Sequence, residues 1–128
     1  MQRLQVLNGQ FQEQPTFNSR AMGPKSDDDV VVVSYARTAM TRAKKGPQKD
    51  TAPEAMLTPV MKDALKKAGN LDPKLVEEIC IGNVLQPGSG STSSRMAQLM
   101  AGIPDTTPLY AVNRQCSSGL QAVATIAS

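Results

Sequence analysis

Apolar residues in this chain follow two rhythms, unbroken short runs and runs spaced three or four apart. Val30–Ala36 (VVVVSYA) is of the first kind and comes directly after Asp27, Asp28 and Asp29. Four consecutive valines predict a strand buried on both faces, as in a parallel sheet. Glu77–Leu85 (EEICIGNVL) and Pro108–Asn113 (PLYAVN) predict two further buried strands. Between the first two runs the spacing changes. Met56, Leu57, Val60, Met61, Ala64, Leu65 and Ala68 share one face of a helix predicted over about 52–68. Thr51 and Glu54 have capping-box spacing, with Pro53 in the first turn, while Pro59 predicts a kink and Gly69-Asn70 a stop. Leu71-Asp72-Pro73 opens a short helical turn carrying Leu75 and Val76. Gln86–Ser94 (QPGSGSTSS) is a polar loop leading into a second helix over Arg95–Ile103, ended by Gly102 and Pro104. After Cys116, the residues Leu120, Val123, Ala124 and Ala127 line up on a third helix.

Strands and helices thus alternate, which predicts an α/β fold: a parallel or mixed sheet with helices on its faces. The first 29 residues differ from this pattern. Arg3, Leu4, Leu7, Gln10 and Phe11 fall on one helical face, but Gly9 weakens a free helix there by about 1 kcal/mol. Such a helix is expected to form mainly against a partner. The polar stretch that follows, with two prolines and no periodicity, reads as a linker. The expected organisation is a leader and linker over 1–29 and an α/β domain over 30–128.

Composition narrows the function. Aromatics make up 3% of the 128 residues and Trp is absent, so the core rests on Val, Ile, Leu, Met and Ala. The formal charge of +3 is mild, and no basic run is interleaved with aromatics, so nothing argues for nucleic acid. No apolar run approaches the roughly 18 residues that a membrane span needs. Two cysteines in different contexts, Cys80 and Cys116, are no disulfide framework and suit a reducing compartment. No metal or tightly bound cofactor is suggested.

Cys116 is the candidate for chemistry. It falls between the third predicted strand and the third helix, where ligands of open α/β sheets bind. Free N–H groups and the partial positive charge of a helix N-terminus favour a thiolate and an oxyanion attached to it. Gly119 permits close approach of a backbone or ligand, and Ser117 and Ser118 are available to cap the helix. The chain has 0 histidines, so a base for this thiol is not a histidine of these residues. Packing is the competing role, because free cysteine is among the most buried residue types, and it is the expected role of Cys80 inside an apolar strand. Arg37, Lys44 and Lys45 belong either to a solvated loop or to a contact with phosphates.

Val112–Ala122 (VNRQCSSGLQA) resembles the nucleophile motif of the thiolases, on their degradative 3-ketoacyl-CoA branch. DVVVV with RTA, KDTAPEAML, GNVLQPGSG and GIPDTTPLYAVNRQCSSGLQA run in family order from about Val30 to Ser128. The resemblance implies a thiolase-like N-terminal domain and an acyltransferase of fatty-acid β-oxidation. In that reaction Cys116 attacks a 3-ketoacyl-CoA, acetyl-CoA leaves and an acyl-thioester remains until CoA collects it. CoA is thus a substrate, not a cofactor. It further implies that the Cys116 backbone N–H contributes to the oxyanion hole and that the full-length protein is a homodimer. The family's activating histidine, second cysteine and Asn-Glu-Ala-Phe segment come later in its sequence and have no counterpart here. Two alternatives stand beside this reading: a biosynthetic acetyl-CoA acetyltransferase, and a catalytically incomplete chain serving as a targeting or interaction module. Arg3-Leu4, five residues, then Gln10-Phe11 resembles the amino-terminal peroxisomal targeting signal, which implies an import receptor as partner and the peroxisome as location. With Arg3, Arg20 and Lys25 against Glu13, a mitochondrial presequence is the alternative.

Overall fold

A computed structural model describes residues 26–128. The leader residues Arg3, Leu4, Gln10 and Phe11 lie outside the described residues. The chain divides into two units, Met1–Val30 and Val31–Ser128. In the first, Ser26 and Asp29 close a small turn: the Ser26 N–H donates to Asp29 Oδ2 at 3.0 Å and the Asp28 N–H to Ser26 Oγ at 3.2 Å.

The second unit runs α1 (Pro53–Lys67), a 3-10 turn (Pro73–Leu75), β1 (Ile79–Gly82), a turn (Pro87–Gly90), α2 (Ser91–Ala101), β2 (Leu109–Val112) and α3 (Ser118–Ile126). The strands pair in parallel, with Ile79 opposite Leu109 and Gly82 opposite Val112. Side chains alternate across this ladder. Ile81 lines a cavity of about 290 Å³ with Met56, Leu57 and Val60 of α1, and Leu109 lines another with Met96 and Leu99 of α2. Gly82, one residue out of phase with Ile81, faces the start of α3. The helices therefore cover opposite sides of the pair: α1 and α2 on one, α3 on the other. No helix among the described residues is long and apolar enough to cross a membrane.

The apolar stripe read for α1 is the half-buried face of that helix, from Met56 to Leu65. Its N-cap is not the one predicted. Ala52 occupies that place without a side-chain cap bond, and Pro53 starts the helix with its fixed φ. The helix continues through Pro59, and the Thr58 hydroxyl, buried in the preceding turn, donates to the Glu54 carbonyl at 2.7 Å. Gly69 and Asn70 end it as expected, with φ of 83° and 57°. Helix α2 begins at Ser91, four residues before the predicted start, because Gly88, Ser89 and Gly90 all take left-handed conformations and turn the chain directly into it.

The valine strand is a correction. Val30–Ala36 forms no strand, and Val30, Val31, Val32 and Val33 are 69–81% exposed. A run of valines has the propensity for a strand but needs a partner edge. This segment instead contacts α1, where Ser34 Oγ donates to the Ala64 carbonyl at 2.9 Å and Lys67 Nζ reaches the Tyr35 carbonyl at 3.5 Å.

The best-sealed part of the unit is the return from α2 to β2. Gln98 is completely buried there. Its Nε2 donates to the carbonyls of Pro104 (2.8 Å) and Thr107 (2.9 Å), and its Oε1 accepts from Arg95 at 2.8 Å. Arg95 also donates to the Thr107 and Asp105 carbonyls, and the Thr107 hydroxyl donates to the Val76 carbonyl at 2.9 Å. Gln98→Leu keeps the volume and strips these bonds, leaving the Pro104 and Thr107 carbonyls with one donor fewer each and Arg95 without its amide acceptor. The expected loss is about 2–4 kcal/mol of unfolding free energy, read as a lower denaturant midpoint at unchanged slope. A midpoint equal to that of the parent chain would contradict it.

Candidate active site at the turn before α3

β2 ends at Val112, and five residues lead to α3. They form a tight elbow at the carboxyl end of the strand pair. Gln115 takes a left-handed φ of 51°, uncommon for a residue with a Cβ. Its backbone is hydrogen-bonded on both sides. The Gln115 N–H donates to Asn113 Oδ1 at 3.0 Å, and the Gln115 carbonyl accepts from Ser118 N (3.1 Å) and Ser118 Oγ (2.6 Å). The same Ser118 oxygen accepts from the Arg114 N–H at 2.9 Å. Ser118 is 3% exposed, so its own bonds are partly shielded from water, while the bond from Gln115 to Asn113 is exposed.

Cys116 follows Gln115 and is exposed. The packing role open to it in the sequence is therefore not the one it has in this unit. No hydrogen bond engages its N–H among the described residues. Ser117 is the N-cap of α3 but makes no side-chain cap bond, and the first amide of the helix, Ser118 N–H, turns back to the Gln115 carbonyl. The capping expected of the two serines falls to Ser118 alone, and toward the elbow rather than the helix. Arg114 reaches over the first turn of α3 to hydrogen-bond Gln121 Oε1. The neighbouring cleft, about 350 Å³, is lined by Arg114, Ser117, Leu120, Gln121 and Ala124.

Two ties hold this elbow to the loop after β1. The Asn83 N–H donates to the Val112 carbonyl at 3.0 Å, and Asn113 Nδ2 donates to the Val84 carbonyl at 3.3 Å. Asn113 thus serves both loops, one with each side-chain group.

The glycine at which backbone approaches closely is Gly82, whereas the space beside Gly119 is open. A Cβ on Gly82 would lie 2.5 Å from the Ser118 carbonyl carbon and 2.6 Å from Gly119 N, whereas one on Gly119 meets nothing within 4 Å. Gly82 lets the start of α3 sit against the sheet. Sequence reasoning missed it, since a glycine inside a strand pattern is a signal of close backbone approach that was available there. Cys80 is half-buried on β1, opposite Tyr110. Partial burial lifts the Tyr110 phenol above its ordinary 10.0, and Cys80 and Glu78 beside it add to the rise. Arg37, Lys44 and Lys45 are exposed in the loop before α1, as a solvated loop requires.

The sequence pattern of the thiolase N-terminal domain family matches residues 30–128. The chain belongs to the thiolase family. Among curated relatives, human peroxisomal 3-ketoacyl-CoA thiolase is 48% identical over 137 residues, covering 99% of this chain and 32% of that protein. The peroxisomal 3-ketoacyl-CoA thiolase of Yarrowia lipolytica is 44% identical, covering 100% of this chain and 31% of its own length. Among solved structures, the dimeric peroxisomal thiolase of Saccharomyces cerevisiae superposes with a TM-score of 0.75 at 41% identity, over 81% of this chain and 27% of that one. An acetyl-CoA acetyltransferase of Bacillus anthracis gives 0.68 at 34% identity, over 76% of this chain and 24% of that one. The chain spans about a third of the length of the curated relatives it matches.

The geometry separates the two glycines by experiment. Gly82→Ala forces backbone to move and is expected to cost about 1–3 kcal/mol of stability. Gly119→Ala, at an open helical position, is expected to be neutral or to stabilise by up to about 1 kcal/mol. Thermal unfolding of both variants checks this, and equal effects would refute the assignment of Gly82 as the contact glycine.

Proposed function

We propose that residues 30–128 supply the nucleophile portion of a peroxisomal 3-ketoacyl-CoA thiolase active site. The observation that carries this reading is the near-complete match of the chain to peroxisomal 3-ketoacyl-CoA thiolases, together with an exposed Cys116 at the strand-to-helix elbow. Cys116 Sγ attacks the 3-keto carbonyl carbon of the substrate. The bond between the keto carbon and the α-carbon breaks, that carbon takes a proton, and acetyl-CoA departs. The shortened acyl group stays on Cys116 as a thioester. The thiol of free CoA then attacks it, the acyl group passes to CoA, and the Cys116 thiol is regenerated. The Cys116 N–H, which has no partner among the described residues, is suited to donate to the thioester oxygen. The chain has 0 histidines, so the base and acid for these proton transfers lie with groups other than histidines of these residues.

The outer face of α3 supports the same reading. Leu120, Val123 and Ile126 are 73%, 59% and 47% exposed, an apolar stripe on a helix whose other side meets the strands. Such a stripe suits a further packed layer. One Saccharomyces cerevisiae relative is described as five-layered and built from two core domains of identical topology. The working assembly is a homodimer acting on 3-ketoacyl-CoA and CoA. Arg3, Leu4, Gln10 and Phe11 form the signal that a peroxisomal import receptor reads.

Two experiments test this. Residues 30–128 replace the matching segment of the Saccharomyces cerevisiae enzyme, and thiolysis of 3-ketoacyl-CoA is assayed. The chimera is expected to be active and to lose at least about a thousandfold in kcat with Cys116→Ser. Thiolysis that survives this substitution would remove Cys116 from the nucleophile role. Residues 1–29 fused to a fluorescent protein are expected to enter peroxisomes, and Arg3→Ala with Leu4→Ala to abolish entry. Mitochondrial accumulation would overturn the assignment of the signal.

A further inference from the structure

The elbow presents a physical problem that its own bonds answer. Gln115 carries a Cβ yet holds φ of 51°, a conformation that side-chain-bearing residues leave unless something retains them. Every polar group of its backbone is engaged, and among the described residues two side chains do this beyond the turn's own amides. Asn113 Oδ1 accepts from the Gln115 N–H, and Ser118 Oγ donates to the Gln115 carbonyl while accepting from the Arg114 N–H. Asn113 is anchored in turn to the Val84 carbonyl, and buried Ser118 sits against Gly82 of β1. The conformation of the residue before Cys116 is therefore referenced to the strand pair through two separate routes.

We propose that Asn113 and Ser118 are positioning residues for Cys116. They lock Gln115 in the left-handed conformation and so fix the direction in which the Cys116 thiol and N–H leave the elbow. This rests on the reading of Cys116 as the nucleophile. The Ser118 hydroxyl links the Arg114 N–H to the Gln115 carbonyl, so its loss frees the Arg114 N–H and leaves that carbonyl with the Ser118 N–H alone. Gln115 then relaxes to an ordinary negative φ, and Cys116 turns away from the first turn of α3. A glycine at 115 adopts positive φ without being held. It should therefore suppress the loss of Ser118, which a residue that merely stabilised the helix would not allow.

The test uses the chain from Met1 to Ser128 and iodoacetamide, with alkylation of Cys116 and Cys80 followed separately by peptide mass spectrometry. Half-buried Cys80 reports whether the unit is folded. Cys116 is already exposed, so its rate reads the environment of the thiol rather than access to it. Ser118→Ala is expected to slow Cys116 about two- to fivefold, the range for losing the favourable end of a helix. Cys80 should stay protected. Asn113→Ala, at an exposed site, should slow it likewise, and adding Gln115→Gly to Ser118→Ala should restore the parent rate. An unchanged Cys116 rate in both single variants, or no recovery on adding Gln115→Gly, would overturn the proposal. If Ser118→Ala exposes Cys80, the Asn113→Ala rate decides alone. Alkylation reports the elbow whether or not Cys116 carries an acyl group, so its failure removes the positioning role only. The thiolysis assay of Cys116→Ser addresses the nucleophile separately.

Discussion

The Gln98 amide is the fixed point of this unit. It lies fully buried between helix α2 and the return to β2, and all three of its bonds go to the chain around it. A buried amide is tolerated only with its partners in place, so the return segment from Pro104 to Thr107 has one acceptable path. That path sets where β2 begins. Thr107 extends the constraint to the other strand by bonding the Val76 carbonyl just ahead of β1. The register of the two strands, and with it the height at which β2 delivers the chain to the elbow, is braced by this polar network beside the apolar packing. The buried apolar side chains near it are Ala97, Ala101 and Ile103, which pack beside this network.

The elbow inherits that precision. With the strands in register, Gly82 comes beneath Ser118, and the absence of a Cβ there allows α3 to start against the sheet. Asn113 and Ser118 then tie the turn to both neighbours, and Cys116 is left at the surface with its N–H open. An exposed cysteine on a rigidly held turn is a different chemical object from an exposed cysteine on a loose one. The thiol of the first has a fixed relation to the amides of the next helix. Such preorganisation is what acyl transfer requires of its nucleophile and oxyanion donors.

Much of the layout was legible from residue spacing. The α1 stripe, its Gly69-Asn70 stop, the two paired strands and the strand-to-helix position of Cys116 all follow from periodicity and turn residues. The family resemblance on residues 112–122 agrees with the match over 30–128. The failures have particular causes. The valines at 30–33 have strand propensity, but a strand exists only as a pair, and the segment lies along α1 instead. Thr51 and Glu54 have the spacing of a capping box, yet Pro53 already fixes the helix start at Ala52. Gly119 reads as a place for close approach of a backbone or a ligand, and the close backbone contact belongs instead to Gly82, which is distant in sequence.

By itself the sequence determined the alternation of elements and the place of Cys116 after a strand. These are local properties, carried by hydrophobic period, turn chemistry and the order of residues around Cys116. The tertiary structure decided which strands pair, that Gln98 is buried and not a surface amide, and that Gln115 is left-handed with its backbone bonded to Asn113 and Ser118. Each of these depends on groups that meet only after the chain has folded back on itself. Hydrogen-bond partners and steric room are set by such meetings, and no window of neighbouring residues contains them.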